Sequence, residues 1–233
     1  MPFLWDRPPR VIGHRGAPRD APENTLASFH TCARGGVRAA ELDARLTEDG
    51  AVVVHHDAFL GRIIPGEGAI ERMRADELRA KGVPLLEEVL ALGLAFDVEL
   101  KADADNAAEL PAKALEVVRR ADAVERVLVT SFDWDLADAY ARLSGRPAGM
   151  ILPFVADEED LASYPRLGFV ALAEDAALPE AFAACRAAER RVLVWTVNSD
   201  ESARRLLDEG ADGIITDRPG PLARALGEAA SAP

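Results

Sequence analysis

Lysine is nearly absent from this chain: of 27 basic residues only Lys81, Lys101 and Lys113 are lysines. Where arginine is the default cation, a lysine at a key place is a choice rather than drift. Cysteine is equally scarce. Cys32 and Cys185 lie far apart in helix-like stretches, which excludes a disulfide framework or a metal knuckle and points to a reducing compartment. Positive charge is in deficit, with a formal net charge of −13. A nucleic-acid partner, which needs basic patches against the phosphate backbone, is thereby disfavoured. No apolar run approaches the roughly 20 residues that cross a bilayer. The amino-terminal MPFLWDRPPR breaks with prolines and charges where a signal peptide needs a continuous apolar stretch. A soluble, cytoplasmic protein is the expectation, and any anionic substrate must be held by local charge.

What is abundant is alternation. Strand-like runs occur at 10–14, 38–45, 51–56, 95–101, 126–131, 148–152, 168–172, 191–197 and 212–216. Helix-like stretches at 24–34, 84–92, 106–120, 133–143, 178–189, 200–208 and 219–228 separate most of them. Strand-helix alternation implies parallel strands joined by crossover helices. The run at 51–56 is the exception, since Thr47-Glu48-Asp49-Gly50 leaves no room for a helix. Asp-Gly between two strands signals a hairpin, so this run turns back on the second strand. The remaining eight strands give the count of a (β/α)₈ TIM barrel. An open doubly wound sheet is the alternative, but Gly13-His14-Arg15-Gly16 is not its glycine-rich phosphate loop. A single barrel domain over 1–233 is expected, with an insertion at about 47–83 after the second strand. Residues 57–83 hold too few apolar side chains for a core of their own, and Asp157-Glu158-Glu159-Asp160 reads as a solvated helix start.

Chemistry concentrates between Arg10 and Asp57, where three strand-like runs each deliver ionisable groups. Residues two apart on a strand share a face, so Glu41 pairs with Asp43, and Glu99 with Lys101. These positions, with His14 and His56, fall at the downstream strand ends where β/α barrels build their sites. Glu41, Asp43 and Glu99 form a set of hard oxygen ligands suited to one divalent cation, Mg²⁺ or Ca²⁺ and also Mn²⁺. The bland alternative is a closed network of arginine ion pairs. Two histidines on one rim can divide general-acid and general-base work. His56 is favoured over His55, which must point the other way, and His30 reads as a helix-surface side chain. Arg15 and Lys101 are the candidate anion ligands. Glu23 and Asn24 either brace His14 or belong to a cap on the first helix. Trp195 either walls a glycerol-like group at the barrel mouth or is core.

These residues carry a resemblance. GHRG at 13–16, PENT at 22–25, ELDARLTEDG at 41–50, HD at 56–57, VPLLEEVL at 83–90, FDVELK at 96–101, SFD at 131–133, VWTVN at 194–198 and DGIITDRP at 212–219 stand in the order and spacing of the glycerophosphodiester phosphodiesterases. The chain resembles that family over nearly its whole length. The resemblance implies a (β/α)₈ barrel, a divalent cation, and hydrolysis of a small-molecule glycerophosphodiester to glycerol 3-phosphate and an alcohol. It matches Glu41, Asp43 and Glu99 to the metal ligands, His14 and His56 to the acid/base pair, and Arg15 and Lys101 to the phosphate contacts. It also implies attack by the neighbouring glycerol hydroxyl through a cyclic phosphate. The chain departs at Arg62-Ile63-Ile64-Pro65, where family members often carry a threonine-rich stretch. Two rivals share the scaffold: a lysophospholipase D-type phosphodiesterase, and a non-catalytic metal- or phosphate-binding protein.

Overall fold

The computed structural model describes residues 3–228. Eight parallel strands close on themselves: β1 (Val11–Gly13), β2 (Ala39–Leu46), β4 (Ala95–Leu100), β5 (Val127–Ser131), β6 (Gly149–Leu152), β7 (Phe169–Ala173), β8 (Arg191–Trp195) and β9 (Gly213–Thr216). Pairing runs β1-β9-β8-β7-β6-β5-β4-β2, and the pairing of Gly13 with Ala40 joins β1 back to β2. This is the (β/α)₈ barrel read from the alternation. β3 (Val52–Val54) lies antiparallel on β2, with Ala44 opposite Val54 and Leu46 opposite Val52. The hairpin at Asp49-Gly50 therefore forms where expected, and Gly50 takes a φ of +75° that suits glycine.

Outside the barrel lie α1 (Leu26–Arg34), α2 (Ala75–Ala80), α3 (Leu86–Leu90), α4 (Leu110–Arg120), α5 (Trp134–Ser144), α6 (Glu158–Ala162), α7 (Pro179–Ala187), α8 (Asp200–Glu209) and α9 (Pro219–Ala225). Side-chain alternation splits the interior in two. Ala40, Leu42 and Ala44 of β2 and Phe96, Val98 and Leu100 of β4 face outward into the main core, against helices such as α1 and α4. Ile12, Ala39, Ala95, Leu128, Ile151, Ala171, Leu193 and Ile215 face inward and fill the lower barrel, closed from below by Phe3 and Trp5. Trp5 is fully buried, and its indole Nε1 donates to the Arg126 carbonyl at 3.1 Å.

The stretch after β3 differs from its sequence reading. Leu60, Ile64, Ile70, Leu78 and Val83 gather with Val53 into a small buried cluster of their own. A 3₁₀ turn at Ile70–Arg72, helix α2 and a bridge between Phe59 and Ala69 organise it. The aliphatic residues that build this cluster are spaced by glycines with no strand or helix period, so the sequence pattern hides them.

Candidate active site

On the same inward face that carries Ala39 and Ala95, the next residues up the barrel are acids. Glu41 and Asp43 continue β2, and Asp97 and Glu99 continue β4. The register sets Glu41 opposite Asp97 and Asp43 opposite Glu99, a square of four carboxylates. All four are less than a tenth exposed. Like charges directly opposite across a ladder repel, and burial removes the water that would screen them. Glu41 is held well above its usual range, by burial first and by Asp43 second. Burial and then Asp43 push Glu99 up to about 7, and burial pushes Asp97 up to about 7 despite a hydrogen bond from Thr130 Oγ1 at 2.8 Å. Asp43 goes the other way. Burial works to raise it, but Lys101 and Arg15 prevail and hold it below the ordinary carboxylate range.

Lys101 Nζ lies 2.5 Å from Glu99 Oε1 and 2.8 Å from Asp43 Oδ1. Arg15 Nε is 3.3 Å from Asp43 Oδ2, its Nη1 donates to Glu23 Oε1 at 2.8 Å, and its backbone N–H donates to Glu41 Oε2 at 2.8 Å. Both cations thus stand among the acids as well as at the cavity wall. Asp43 Oδ1 is buried with no aligned hydrogen bond, despite the nearby ammonium. One oxygen each from Glu41, Asp43 and Glu99 lies within 4.8 Å of the others. Three buried carboxylates so close together are a cluster of hard donors that fits a divalent cation.

His14 follows β1, and its N–H still bonds the Thr216 carbonyl of β9 at 2.9 Å. Its Nδ1 lies 2.7 Å from Asp217 Oδ1. Asn198 Nδ2 donates to the other oxygen of Asp217 at 2.8 Å, and Asn198 Oδ1 accepts from the Asp217 N–H at 3.0 Å. His56 is built in parallel, with Nδ1 2.7 Å from Asp57 Oδ1. Burial holds the His56 imidazole below its ordinary value. Asp57 is drawn down to about 2: burial opposes the shift, and hydrogen bonds from Arg62 and His56 overcome it. With Nδ1 engaged on both rings, Nε2 is the nitrogen left for proton transfer. His55 is buried, with its Nδ1 2.8 Å from the Asp57 carbonyl.

His14, Arg15, Glu41, His56, Asp97, Glu99 and Lys101 line one wall of a cavity at the barrel mouth. Ile151, Ala171, Trp195 and Ile215 form the facing wall. Trp195 Nε1 donates to the Ala171 carbonyl at 3.0 Å, and the ring meets Phe132 edge-on at 5.8 Å. One wall can hold an anion, and the other can hold carbon.

His14, Arg15, Glu41, His56, Glu99, Lys101 and Trp195 therefore reach this cavity, whereas Asp43 is fully buried among them and does not line it. Two roles are reassigned. Glu23 and Asn24 do not brace His14: Glu23 bonds Arg15 and Arg62, and Asn24 Nδ2 donates to Asp43 Oδ2 at 2.6 Å. Thr25 is the residue that caps α1. Sequence reasoning missed Asp217, Asn198 and Asp97. Asp97 was available from strand parity, two residues before Glu99, whereas Asp217 becomes a neighbour of His14 only when β9 closes on β1.

Fold and mouth together define a barrel with a ring of acids and two cations at its mouth. Residues 14–221 match the glycerophosphoryl diester phosphodiesterase family, and the chain belongs to that family of phosphoric diester hydrolases. The Bacillus subtilis protein YqiK is 31% identical, the alignment covering 90% of this chain and 95% of that one. A glycerophosphodiester phosphodiesterase of Caldanaerobacter subterraneus subsp. tengcongensis is 27% identical over 91% of this chain and 95% of its own. Among solved structures, an Oleispira antarctica phosphodiesterase in complex with the product sn-glycerol-3-phosphate superposes with a TM-score of 0.86 at 25% identity, covering 96% of this chain and 98% of that one. No helix among the described residues is long and apolar enough to cross a membrane.

Proposed function

We propose that this protein hydrolyses glycerophosphodiesters to glycerol 3-phosphate and an alcohol, using one divalent cation, Mg²⁺, Ca²⁺ or Mn²⁺, held by Glu41, Asp43 and Glu99. The observation that carries the reading is the pair of aspartate-braced imidazoles, His14 and His56, on one cavity wall with that carboxylate cluster. The product-bound Oleispira antarctica relative supports the same substrate class. Within one barrel domain, residues 47–83 act as an excursion that carries His56 to the mouth. Cys32 and Cys185, both buried and unpaired, suit a reducing cytoplasmic setting.

A cation bound there supplies Lewis-acid withdrawal of charge from the phosphate. Arg15 and Lys101 stabilise negative charge that builds on the phosphate oxygens. One imidazole takes the proton of the attacking hydroxyl at Nε2 as the new P–O bond forms. The other gives its proton to the departing alkoxide as the old P–O bond breaks, each contributing on the order of 10²- to 10⁴-fold; where the attacking hydroxyl is the glycerol's own, water then opens the cyclic phosphate with the two rings exchanging roles and yields glycerol 3-phosphate. Asp217 and Asp57 hold the two rings by Nδ1 and stabilise the imidazolium form. The wall of Ile151, Ala171, Trp195 and Ile215 packs the glycerol carbons and keeps water from that side. His14→Ala and His56→Ala should each abolish release of glycerol 3-phosphate and leave the protein folded. Near-normal turnover in either variant rejects the assignment.

A second reading is favoured by one observation. Phe132, Phe154, Val155 and Leu178 are exposed large apolar side chains, and all follow the downstream ends of β5, β6 and β7 at the mouth. A lysophospholipase D-type activity would use such a rim to hold an acyl chain. Faster cleavage of lysophosphatidylcholine than of glycerophosphocholine selects it, and the reverse order rejects it.

A further inference from the structure

The signs of charge alternate without a break along one chain of contacts at the mouth. It runs from Asp57, which holds His56, to Arg62, Glu23, Arg15, Asp43, Lys101 and Glu99. Arg62 is the link between Asp57 and Glu23. Its Nε donates to Asp57 Oδ2 at 2.6 Å and its Nη2 to Asp57 Oδ1 at 3.1 Å. Its Nη2 and Nη1 also donate to the two oxygens of Glu23, at 2.6 and 3.2 Å. Asp57 belongs to the loop that carries His56, and Glu23 to the neighbouring loop after β1, where it holds Arg15. One guanidinium therefore spans the gap between the histidine and the phosphate-side cation.

We propose that Arg62 is a positioning residue for the phosphodiesterase reaction, fixing His56 through Asp57 and Arg15 through Glu23 so that both address one phosphate. The inference rests on the function proposed above. Its physical basis is geometric. Asp57 follows His56 directly in the chain, on a loop, and on its own would be free to swing away from the imidazole. A guanidinium fork engages a carboxylate through two parallel donors and fixes its plane as well as its position. Arg62 does this on both sides at once, which a lysine ammonium cannot. Its side chain is 47% exposed, against 14% for Glu23. An ion pair so near solvent adds little to stability. The consequence of losing it should accordingly fall on turnover rather than on folding.

The test compares Arg62→Met, Arg62→Ala, Arg62→Lys, Asp57→Asn and the Asp57→Asn/Arg62→Met double variant, by release of glycerol 3-phosphate from glycerophosphocholine with Mg²⁺ present. Arg62→Met should lower kcat by about 10- to 100-fold, the range for outer-shell partners of a reacting group, with a melting temperature close to the parent's. Arg62→Lys should recover only a small part of that loss. In the Asp57→Asn background, Arg62→Met should lower kcat by less than its effect alone, because the two residues act on one imidazole. Guanidinium ion at millimolar concentration should restore part of the activity of Arg62→Ala and none to the parent. If Arg62→Met keeps kcat within about twofold of the parent, or multiplies fully with Asp57→Asn, the positioning role is overturned. A variant that does not fold leaves Arg62→Lys and guanidinium rescue to decide: full activity in the first, or no rescue in the second, overturns the role. An inactive His56→Ala beside a normal Arg62→Met sinks only this inference, whereas a fully active His56→Ala sinks it together with the function on which it rests.

Discussion

Replacing Asp217 by asparagine keeps the shape of the side chain and removes its charge. Asp217 has three polar obligations: one oxygen faces His14 Nδ1, the other accepts from Asn198 Nδ2, and the backbone N–H is held by Asn198 Oδ1. Its carboxyl lies below the ordinary range, chiefly because it accepts a hydrogen bond from His14. An amide cannot meet both side-chain demands. If its oxygen faces His14, its NH₂ meets the NH₂ of Asn198, donor against donor. If it flips, the NH₂ faces Nδ1 and forces the tautomer with the proton on Nε2. The first arrangement loses a hydrogen bond and the second the tautomer with the proton on Nδ1, and both lose the charge that stabilises the imidazolium. A hydrogen bond to a charged group is worth roughly 1.5–3 kcal/mol, and about 1.4 kcal/mol is tenfold in rate. We therefore expect kcat to fall by between about tenfold and 100-fold. The assay is steady-state release of glycerol 3-phosphate, with thermal unfolding as the control. A stability loss of about 1 kcal/mol shifts the melting temperature by only about 2–4 °C in a chain of this size. In a His14→Ala background, Asp217→Asn should add almost nothing. A kcat within about twofold of the parent, beside an inactive His14→Ala, would show that His14 does not depend on Asp217.

Other perturbations follow from the same geometry. Gly16 has a φ of +92°, and a Cβ there would lie 2.4 Å from Ser28 Oγ, the atom that bonds both the Ala17 N–H and the Arg15 carbonyl. Gly16→Ala should cost roughly 2 kcal/mol or more, read as a lower melting temperature; an unchanged value contradicts the clamp. The cation-free protein should lose stability as pH rises from about 4 to about 7. Glu41, Asp97 and Glu99 have folded values raised by burial, so their neutral forms are favoured in the fold and the unfolded chain ionises first. Adding Mg²⁺ or Ca²⁺ should raise the melting temperature more at about pH 8 than at about pH 5, where protons compete for the same oxygens. An equal rise at both would contradict this. Asp97→Asn keeps an acceptor for Thr130 and removes one of the three acids, so it should flatten that pH-dependent decline in calorimetry. A decline of unchanged slope would show that Asp97 does not titrate in this range.

How much of this was legible in the sequence depended on whether a feature was local. Strand parity places Glu41 with Asp43 and Glu99 with Lys101 on inward faces, and the Asp49-Gly50 turn sends His56 back to the mouth. These are short-range facts, and the structure repeats them in its registers. Asp217 and Asn198 were quoted within family-like stretches but had no role, because His14 meets Asp217 only after the barrel closes. Glu23 stays open between a brace for His14 and a helix cap for a related reason. Its position near His14 in sequence suggested a brace, but the left-handed turns at Arg15 and Asn24 aim it at Arg15 and Arg62 instead. The floor plug of Phe3 and Trp5 and the cluster around Leu60 and Ile70 carry no period, so a pattern-based reading passes over them.

The account depends most on Glu41, Asp43 and Glu99 serving a cation that the reaction needs. The direct measurement is glycerol 3-phosphate release by chelator-treated protein, before and after return of Mg²⁺, Ca²⁺ or Mn²⁺, for the parent and for Glu41→Gln. The account predicts negligible turnover after chelation, recovery with at least one of the three ions, and little recovery in the variant. Full turnover in the presence of chelator, or equal recovery by Glu41→Gln, would contradict it.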